Sequence, residues 1–319
     1  MLYGNLFGPV VSRRLGISLG VDVIPSKYCT MNCVYCEVGR TDHLLSEPFG
    51  SADADVINRE LDDFLADRPK LDYITFSGSG EPLLFKDMDK VIEHVKLQYP
   101  EYKLALLTNG SLIGRKDIRK SLMKLDLVLP SLDAVGREAF VKVDRPHPSL
   151  DAKTILKDLV EFNREYTGTM WLEVFLVPGI NDNDEELDRI GDAVAQIKPD
   201  KLQINSLDRP GTERWVEKES QAMLVHAVDI ISVKADPSTS VEIIGKADSN
   251  KYNSNLESKD TESDIISALR RRPCTVDDLC RMFNIHHNEV HKVMHVLLSN
   301  GTVTTRAEER GIFYVLVSD

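Results

Sequence analysis

Short apolar stretches alternate with amphipathic stretches along most of the chain, and this alternation predicts the fold. The apolar stretches have the length of buried strands and lie at 18–24, 73–77, 103–108, 127–131, 170–177 and 201–205. Apolar residues recur with helical spacing over 54–66, 87–98, 115–124, 152–165, 184–196 and 217–234, and a last strand is expected at 241–244. Repeated strand–helix units predict a parallel sheet. Six such units fall short of the eight of a closed barrel, so we expect an α/β fold with a partial (β/α)6, TIM-like barrel over residues 1–245.

The pattern changes after residue 245. Residues 246–261 are almost wholly polar and predict a linker. Residues 262–319 predict a small α+β domain, with a helix over 262–270, a second helix capped by Thr275, a third helix over 287–299, and a hairpin of strands at 302–306 and 312–317. In order and spacing this segment resembles a winged helix-turn-helix domain.

The charge of the chain excludes several classes of protein. Lys and Arg number 39 against 51 Asp and Glu, a formal charge of −12. This surplus of acid disfavours a nonspecific polyanion binder, because neutralising phosphates requires basic side chains. DNA binding by 262–319 is not expected, since that segment holds 7 basic and 8 acidic residues. No stretch approaches the ~20 apolar residues of a membrane span, and the start does not read as a secretory signal, so we expect a cytoplasmic protein without membrane contact.

Three of the five cysteines lie together in the run Cys29-Thr-Met-Asn-Cys33-Val-Tyr-Cys36, after the first predicted strand. Thiolates at this spacing on one loop can bind three irons of a [4Fe–4S] cluster and leave the fourth iron without a protein ligand. A reactive metal centre requires such an open position. A zinc site completed by a distant histidine, or a chance cluster, is the alternative. We expect Cys274 and Cys280 to pack in the C-terminal core.

The cysteine spacing, with an aromatic residue at Tyr35, resembles the radical SAM superfamily, and later motifs extend the resemblance over about residues 7–245. In that family the cysteines hold the [4Fe–4S] cluster, and motifs after the strands bind S-adenosylmethionine (SAM). The run Ser77-Gly-Ser-Gly-Glu81-Pro is similar to the family's glycine–glutamate motif, with a serine between its glycines. The resemblance implies cofactor contacts from Tyr35, Gly78, Gly80, Glu81, Asn109, Ser131, Asp133, Asn181 and Asn205.

A physical argument applies to the same motifs. They lie at the carboxyl ends of predicted parallel strands, where loops from different strands converge on a ligand. Glycines there let the backbone approach closely, and short polar side chains supply directed hydrogen bonds. Taken singly, Asn109 and Asp133 are also compatible with plain turn formers.

The resemblance also implies a mechanism and a partner. A low-potential donor of the flavodoxin or ferredoxin type reduces the cluster, SAM is cleaved to methionine and a 5′-deoxyadenosyl radical, and that radical abstracts hydrogen from a substrate. The N-terminal run and the DRPHPSL and LDRP segments resemble an uncharacterised iron–sulfur oxidoreductase branch that is grouped with wybutosine-type tRNA-modifying enzymes. This chain lacks the further N-terminal cysteines that those enzymes use for a second cluster.

Basic side chains near the mouth of the predicted barrel are candidate substrate contacts, namely Arg13, Arg14, Arg145, His147 and Arg209. Arginine suits a carboxylate or a phosphate, although such arginines equally brace loops. RNA, a peptide or protein, and a small metabolite are the three substrate classes left open. The C-terminal domain slightly favours a macromolecule.

The third C-terminal helix carries His287, His291 and His295 on one face, because they recur every four residues. We interpret this face as solvated, with a metal-binding, pH-sensing or nucleic-acid-reading face as alternatives. A recognition helix here would make the protein a SAM- or redox-responsive regulator that binds nucleic acid. The acidic charge and the barrel motifs count against that hypothesis.

Overall fold

The computed structural model describes residues 3–245, 261–283, 285–308 and 310–317. The predicted linker over 246–261 lies outside these residues except for Thr261, which begins a helix. No helix in the part of the chain so described is both long enough and apolar enough to cross a membrane.

Eight strands form one open sheet in which all neighbours except the first pair are parallel. The strands are β1 (Leu6–Ser12), β2 (Gly16–Val21), β5 (Tyr73–Phe76), β6 (Leu104–Thr108), β7 (Leu127–Pro130), β8 (Thr169–Leu176), β9 (Lys201–Ser206) and β10 (Ser240–Ile243), in that spatial order, while β3 (Tyr28–Cys29) and β4 (His43–Leu44) form a separate small pair after β2. This mixed α/β fold with a parallel sheet fits the predicted partial TIM barrel.

Helices connect the strands and cover one face of the sheet. They are α1 (Ala54–Leu65), α2 (Met88–Gln98), α3 (Lys116–Leu122), α4 (Arg137–Asp144), α5 (Ala152–Glu165), α6 (Asp184–Ile197) and α7 (Gln221–Lys234). Side-chain caps set several of their starts: Asp151 accepts a hydrogen bond from the Thr154 amide (3.2 Å), and Ser220 accepts one from the Met223 amide (3.1 Å). The Ser220 cap explains why α7 begins later than the predicted 217.

The main hydrophobic core lies between this helical layer and the sheet. Leu19 of β2, Ile74 of β5 and Leu61 of α1 are fully buried there. Alternate residues of the same strands point to the opposite face, toward the barrel interior. That interior is partly polar: Ser18 and Thr75 share a hydrogen bond of 2.7 Å, and Arg14 forms an ion pair with Glu173.

The sequence did not predict β1, α4 or the short strands β3 and β4. β1 pairs antiparallel with β2 and forms a hairpin at the sheet edge, with a register irregularity between Phe7 and Val10. The short helix α4 ends at Asp144, and Arg145 follows it in a left-handed conformation with φ of 42°. The predicted strand over 18–24 ends at Val21, because the chain leaves the sheet there toward the cysteine loop.

Residues 261–317 contain three helices followed by an antiparallel hairpin: α8 (Thr261–Arg271), α9 (Val276–Phe283), α10 (His287–Ser299), β11 (Val303–Glu308) and β12 (Gly311–Leu316). We call this the C-terminal unit. Cys274 and Cys280 are buried in its own hydrophobic cluster, which confirms their expected packing role. Its assignment as a winged helix domain stays a prediction.

The C-terminal unit packs against the β1–β2 hairpin. Val10 of β1 belongs to the unit's hydrophobic cluster, and the Arg271 guanidinium lies 4.1 Å from the ring centre of Phe7. Ion pairs add to the contact: Arg271 Nε lies 3.2 Å from Asp22 Oδ2, and Arg310 Nη1 lies 2.9 Å from Asp208 Oδ2. The unit therefore covers the open side of the barrel.

Candidate functional site

The loop that carries the three clustered cysteines is held by backbone hydrogen bonds to separate parts of the barrel. The amide of Glu81 donates to the carbonyl oxygen of Tyr28 (3.1 Å), and the amide of Val34 donates to that of Val143 (2.9 Å). The amide of Glu213 donates to the carbonyl oxygen of Val34 (3.0 Å). These hydrogen bonds fix the cysteine loop against the loop after β5, the segment after β9 and the helix α4.

The three thiols are half-buried and lie near acidic side chains. Burial raises the pKa of Cys29 to about 12. Burial also raises the pKa of Cys33 well above its usual range, with further contributions from the charges of Asp144 and Cys29. The pKa of Cys36 is raised by burial as well. Such thiols become thiolates when a positively charged metal group binds them, which is the chemistry that an iron–sulfur cluster supplies.

The donor set is three thiols on one loop, the ligand type that iron–sulfur clusters use. In a cubane each thiolate binds a different iron, so the ligands stand apart. Cys29, Cys33 and Cys36 are the residues that would hold the group.

Asn109 connects the end of β6 to the cysteine loop. Its side-chain nitrogen lies 2.7 Å from Thr30 Oγ1 and 3.6 Å from Cys29 Sγ, while its side-chain oxygen accepts hydrogen bonds from the amide and hydroxyl of Ser111 (3.1 and 2.6 Å). A sulfur that receives an amide hydrogen bond is a better ligand to a metal than one in an apolar pocket. Asn109 is therefore more than a turn former in this fold.

The Ser77–Pro82 segment lies directly behind the cysteine loop. Glu81 is 2% exposed, and its carboxylate accepts hydrogen bonds from the Leu83 amide (3.0 Å), the Thr108 hydroxyl (2.6 Å) and the Asn109 amide (2.8 Å). Burial raises the pKa of Glu81, and these hydrogen bonds oppose that shift. The carboxylate thus ties the end of β5 to the end of β6.

Glycine is required at two positions of this segment, because the backbone there lies too close to neighbouring groups to leave room for a side chain. Gly78 has a φ of +145°, a conformation that L side chains rarely adopt, and a Cβ there would collide with the Asp22 carboxylate. Gly80 lies against the backbone of Tyr28 in the cysteine loop. Larger residues would separate the two loops.

Tyr35 and Asp133 form a wall on the other side of the cysteines. The Tyr35 ring stacks on Phe175 with a centroid distance of 3.8 Å, and its hydroxyl donates to the Asp133 carboxylate. Asp133 also accepts a hydrogen bond from the Phe175 amide (2.8 Å). Asn205 pairs in register with Phe175 across β8 and β9. The aromatic pair gives this wall a flat apolar surface beside the polar groups.

Four of the nine predicted cofactor contacts meet at one cleft beside Cys33, namely Tyr35, Asn109, Ser131 and Asp133. Asp144 lines the same cleft, and Cys33 Sγ lies 3.5 Å from its Oδ1. Burial, and then the charge of Asp133, raise the pKa of Asp144 well above its usual range. Sequence analysis did not assign Asp144 to the site, because no motif signals that the end of α4 returns to the cysteine loop.

Asn181 is enclosed by protein groups. It is fully buried, its amide nitrogen donates to the carbonyl oxygens of Asp133 and Phe175 (both 2.8 Å), and its oxygen accepts from the Val177 amide (2.7 Å). These hydrogen bonds hold the backbone of the loop after β8 in its conformation. Its contact with SAM stays a prediction.

We expect Asn181→Ala to lower the free energy of unfolding by about 3 kcal/mol, because it leaves three buried backbone groups unpaired. Urea denaturation followed by circular dichroism measures this. Asn183→Ala is the matched control and removes the cap of α6 and an exposed hydrogen bond to the Ile180 carbonyl oxygen, a loss of about 1 kcal/mol. Equal losses for the two variants would contradict the buried role of Asn181.

Three of the five candidate substrate residues line one cavity between the barrel and the C-terminal unit. It encloses about 260 Å³, and we call it the arginine cavity. Its basic residues are Arg13, Arg14 and Arg209 from the barrel and Arg271, Arg272, Arg281 and Arg310 from the C-terminal unit.

The barrel arginines also make ion pairs. Arg13 Nη1 lies 3.4 Å from Asp208 Oδ2, and Arg209 Nη1 lies 3.4 Å from Glu37 Oε1. Burial lowers the pKa of Arg14 to about 10 despite its pairing with Glu173. Bracing is therefore part of what these arginines do.

Arg145 and His147 lie away from the arginine cavity. The Arg145 guanidinium pairs with Glu213, and His147 Nδ1 lies 2.8 Å from Ser149 Oγ. The backbone of His147 supports the cysteine loop, since its amide donates to the carbonyl oxygen of Thr30 (2.9 Å). Their role as substrate contacts stays a prediction.

His287, His291 and His295 are all exposed on α10. His287 Nε2 lies 2.8 Å from Asp277 Oδ1. This agrees with the interpretation of a solvated face.

Residues 23–190 match the family model of the radical SAM superfamily. The chain is 39% identical over 299 residues to a protein named GTPase Obg of Brachyspira hyodysenteriae, spanning 94% of this chain but only 43% of that protein. It is 27% identical over 311 residues to a UPF0026 protein of Methanocaldococcus jannaschii, spanning 97% of this chain and 95% of that protein.

The fold is also similar to a solved structure. A radical SAM methyltransferase from Sphaerobacter thermophilus superposes with a TM-score of 0.52 at 15% sequence identity, covering 71% of this chain and 66% of that chain. At this identity the likeness concerns the fold alone.

Proposed function

The chain belongs to the radical SAM superfamily, and we propose that Cys29, Cys33 and Cys36 hold one [4Fe–4S] cluster at which SAM is cleaved. A [4Fe–4S] cluster and SAM are the cofactors of this family. When bound, they supply reductive cleavage of SAM and abstraction of a hydrogen atom from the substrate. The observation that carries the proposal is the position of the three half-buried thiols, which lie near polar groups from the ends of neighbouring parallel strands.

The residues around the thiols have separable tasks in this proposal. Asn109 donates toward Cys29 Sγ and holds Thr30, so it orients the cysteine loop. Glu81 fixes the Asn109 backbone from behind. Tyr35 and Phe175 form an apolar wall that excludes water, and Asp133 holds the Tyr35 hydroxyl in place. Gly78 and Gly80 keep backbone atoms accessible at the end of β5.

Three finer points stay predictions within this proposal. They are a donor of the flavodoxin or ferredoxin type, a macromolecular substrate, and kinship with tRNA-modifying enzymes of the wybutosine type. The alternative of a regulator that binds nucleic acid finds no support in the similarities described above.

The test is anaerobic reconstitution of the chain with iron and sulfide, reduction with dithionite in the presence of SAM, and chromatographic assay of the products. We expect about four irons per chain and equal amounts of 5′-deoxyadenosine and methionine. Parallel samples lack SAM or dithionite, and neither should yield product. A chain that binds zinc in place of iron and never cleaves SAM would overturn the proposal.

A further inference from the structure

The arginine cavity adjoins the candidate site on two sides. Glu37 and Val38, which directly follow Cys36, line it, and so does Gly78 of the Ser77–Pro82 segment. Its floor is the inner face of the sheet, with Ser18, Gly20 and Thr75. Its other wall is built by α8 and α9 of the C-terminal unit. A molecule held there lies between the barrel and the unit that covers it, next to the cysteine loop.

The cavity is basic although the whole chain is acidic. Seven guanidinium groups line it, with no lysine, against four carboxylates, those of Glu37, Asp208, Asp264 and Asp278. The formal charge of the chain is −12. Burying like charges together is unfavourable unless a counter-charge is present. The four carboxylates balance only part of the positive charge of the seven guanidinium groups.

Arg272 forms no ion pair with a carboxylate among residues 3–245, 261–283, 285–308 and 310–317, although the charge of Glu37 acts on it without direct contact. The one hydrogen bond of its side chain in that part of the chain runs from Nη2 to Met282 Sδ at 3.6 Å. By contrast, Arg13, Arg209 and Arg271 each have a carboxylate within 3.4 Å. Burial, and then the charge of Arg209, lower the pKa of Arg272. A guanidinium in this position is stabilised by an added anion.

We propose that the arginine cavity binds a small anionic substrate through a phosphate or carboxylate group, with Arg272 as its principal anion ligand. This inference rests on the proposed function and names the substrate class of the same site. It gives the C-terminal unit a task, which is to complete the substrate cavity. Phosphate and carboxylate both match the planar fork of arginine, which donates two parallel hydrogen bonds.

Size and charge favour a small molecule over the macromolecule preferred from sequence. About 260 Å³ is close to the lower end of ordinary ligand pockets and holds a metabolite or one end of a larger molecule. A wider cleft lies beside the cavity and shares Arg271 and Arg272 with it. An RNA or protein substrate would instead bind over exposed surface, where the chain is acidic.

The test uses the full chain with its cluster reconstituted, titrated anaerobically by isothermal calorimetry. The probes are inorganic diphosphate and malonate, which separate phosphate from carboxylate recognition, and each is titrated at constant ionic strength. We expect saturable binding of at least one probe at one site per chain. Arg272→Gln should weaken that binding by about 10-fold or more, because a charge-assisted pair of hydrogen bonds is lost.

Arg164→Gln is the matched control, since Arg164 is exposed on α5 and lines neither the arginine cavity nor the wider cleft beside it. It should leave probe affinity within about 2-fold of the native value, as expected for an exposed charge in salt. Equal weakening by the two variants would show general attraction and overturn the proposal. If Arg272→Gln lowers the melting temperature, Arg272→Lys replaces it as the test. Lysine keeps the positive charge but lacks the two parallel N–H donors of the guanidinium, so Arg272→Lys should still weaken binding.

Two further outcomes separate this inference from the proposed function. Reductive SAM cleavage without added substrate is assayed on the same native preparation that is titrated. Calorimetric binding does not depend on that cleavage, so a chain inactive toward SAM that still binds a probe through Arg272 would refute only the proposed function. Failure of both anions to bind the native chain, or tight binding of an RNA oligonucleotide that is unaffected by Arg272→Gln, would overturn the inference.

Discussion

Replacing Cys33 with alanine is expected to abolish 5′-deoxyadenosine formation, a loss of more than about 10³-fold. The reason is that two remaining thiolates cannot hold a cluster with three protein-bound irons in the orientation that SAM cleavage needs. Cys33 lines the same cleft as Tyr35 and Asp133, whereas Cys274 and Cys280 are buried in the C-terminal unit and cannot replace it. The assay is product formation after anaerobic reconstitution, with iron content measured on the same sample.

Cys280→Ala is the matched control for this prediction. Cys280 is a buried thiol and packs in the core of the C-terminal unit. We expect native iron content and native SAM cleavage, with a loss of unfolding free energy of about 1 kcal/mol from the removed apolar volume. If Cys33→Ala kept its iron and its activity while Cys280→Ala lost both, the assignment of the cluster ligands would be wrong.

Gly80→Ala is expected to lower the free energy of unfolding by more than about 3 kcal/mol and to weaken SAM binding by about 10-fold or more. An added Cβ would overlap the carbonyl oxygen of Tyr28 and lie 2.7 Å from Ile24 Cγ2. The backbone must move, which breaks the hydrogen bond from the Glu81 amide to Tyr28 (3.1 Å) that joins the glycine segment to the cysteine loop. Urea denaturation and equilibrium SAM binding to the reconstituted chain measure the two effects.

Gly50→Ala is the control, because a Cβ at Gly50 meets only the flexible end of Lys86 at 3.6 Å. Its unfolding free energy should stay within about 0.5 kcal/mol of the native value. A Gly80→Ala variant as stable as Gly50→Ala, with native SAM affinity, would show that the two loops are not packed as described.

Most of the sheet was predictable because its parallel strands are marked by local apolar stretches. β5, β6, β7 and β9 coincide closely with apolar stretches seen in the sequence, since both faces of a parallel strand are covered. The strand β1 escaped prediction for a related reason. It lies at the sheet edge and pairs antiparallel, and its burial depends on the C-terminal unit, whose sequence begins some 250 residues later.

The candidate site likewise contains residues that short motifs mark and residues that only the fold brings to it. The cysteine loop and the glycine segment carry their chemistry in adjacent residues, so spacing alone indicated a cluster. Spacing could not assign Asp144 and Phe175 to the site, because each reaches it only when α4 and β8 pack against the cysteine loop. The amide of Asn181 was assigned from a motif, yet the fold fills its hydrogen-bonding groups with backbone partners.

By itself, the sequence determined the parallel α/β architecture, the run of three closely spaced cysteines, the superfamily resemblance and the order of elements after residue 260. These follow from periodicity and short spacings, which report local burial and local chemistry. Only the tertiary structure decided that Arg13, Arg209 and Arg272 share one cavity and that the C-terminal unit closes it. Contacts between such distant positions form when large apolar surfaces are buried together, because the free energy of that burial must exceed the entropy cost of closing long loops. Both quantities depend on the whole fold, so no short stretch of sequence reveals them.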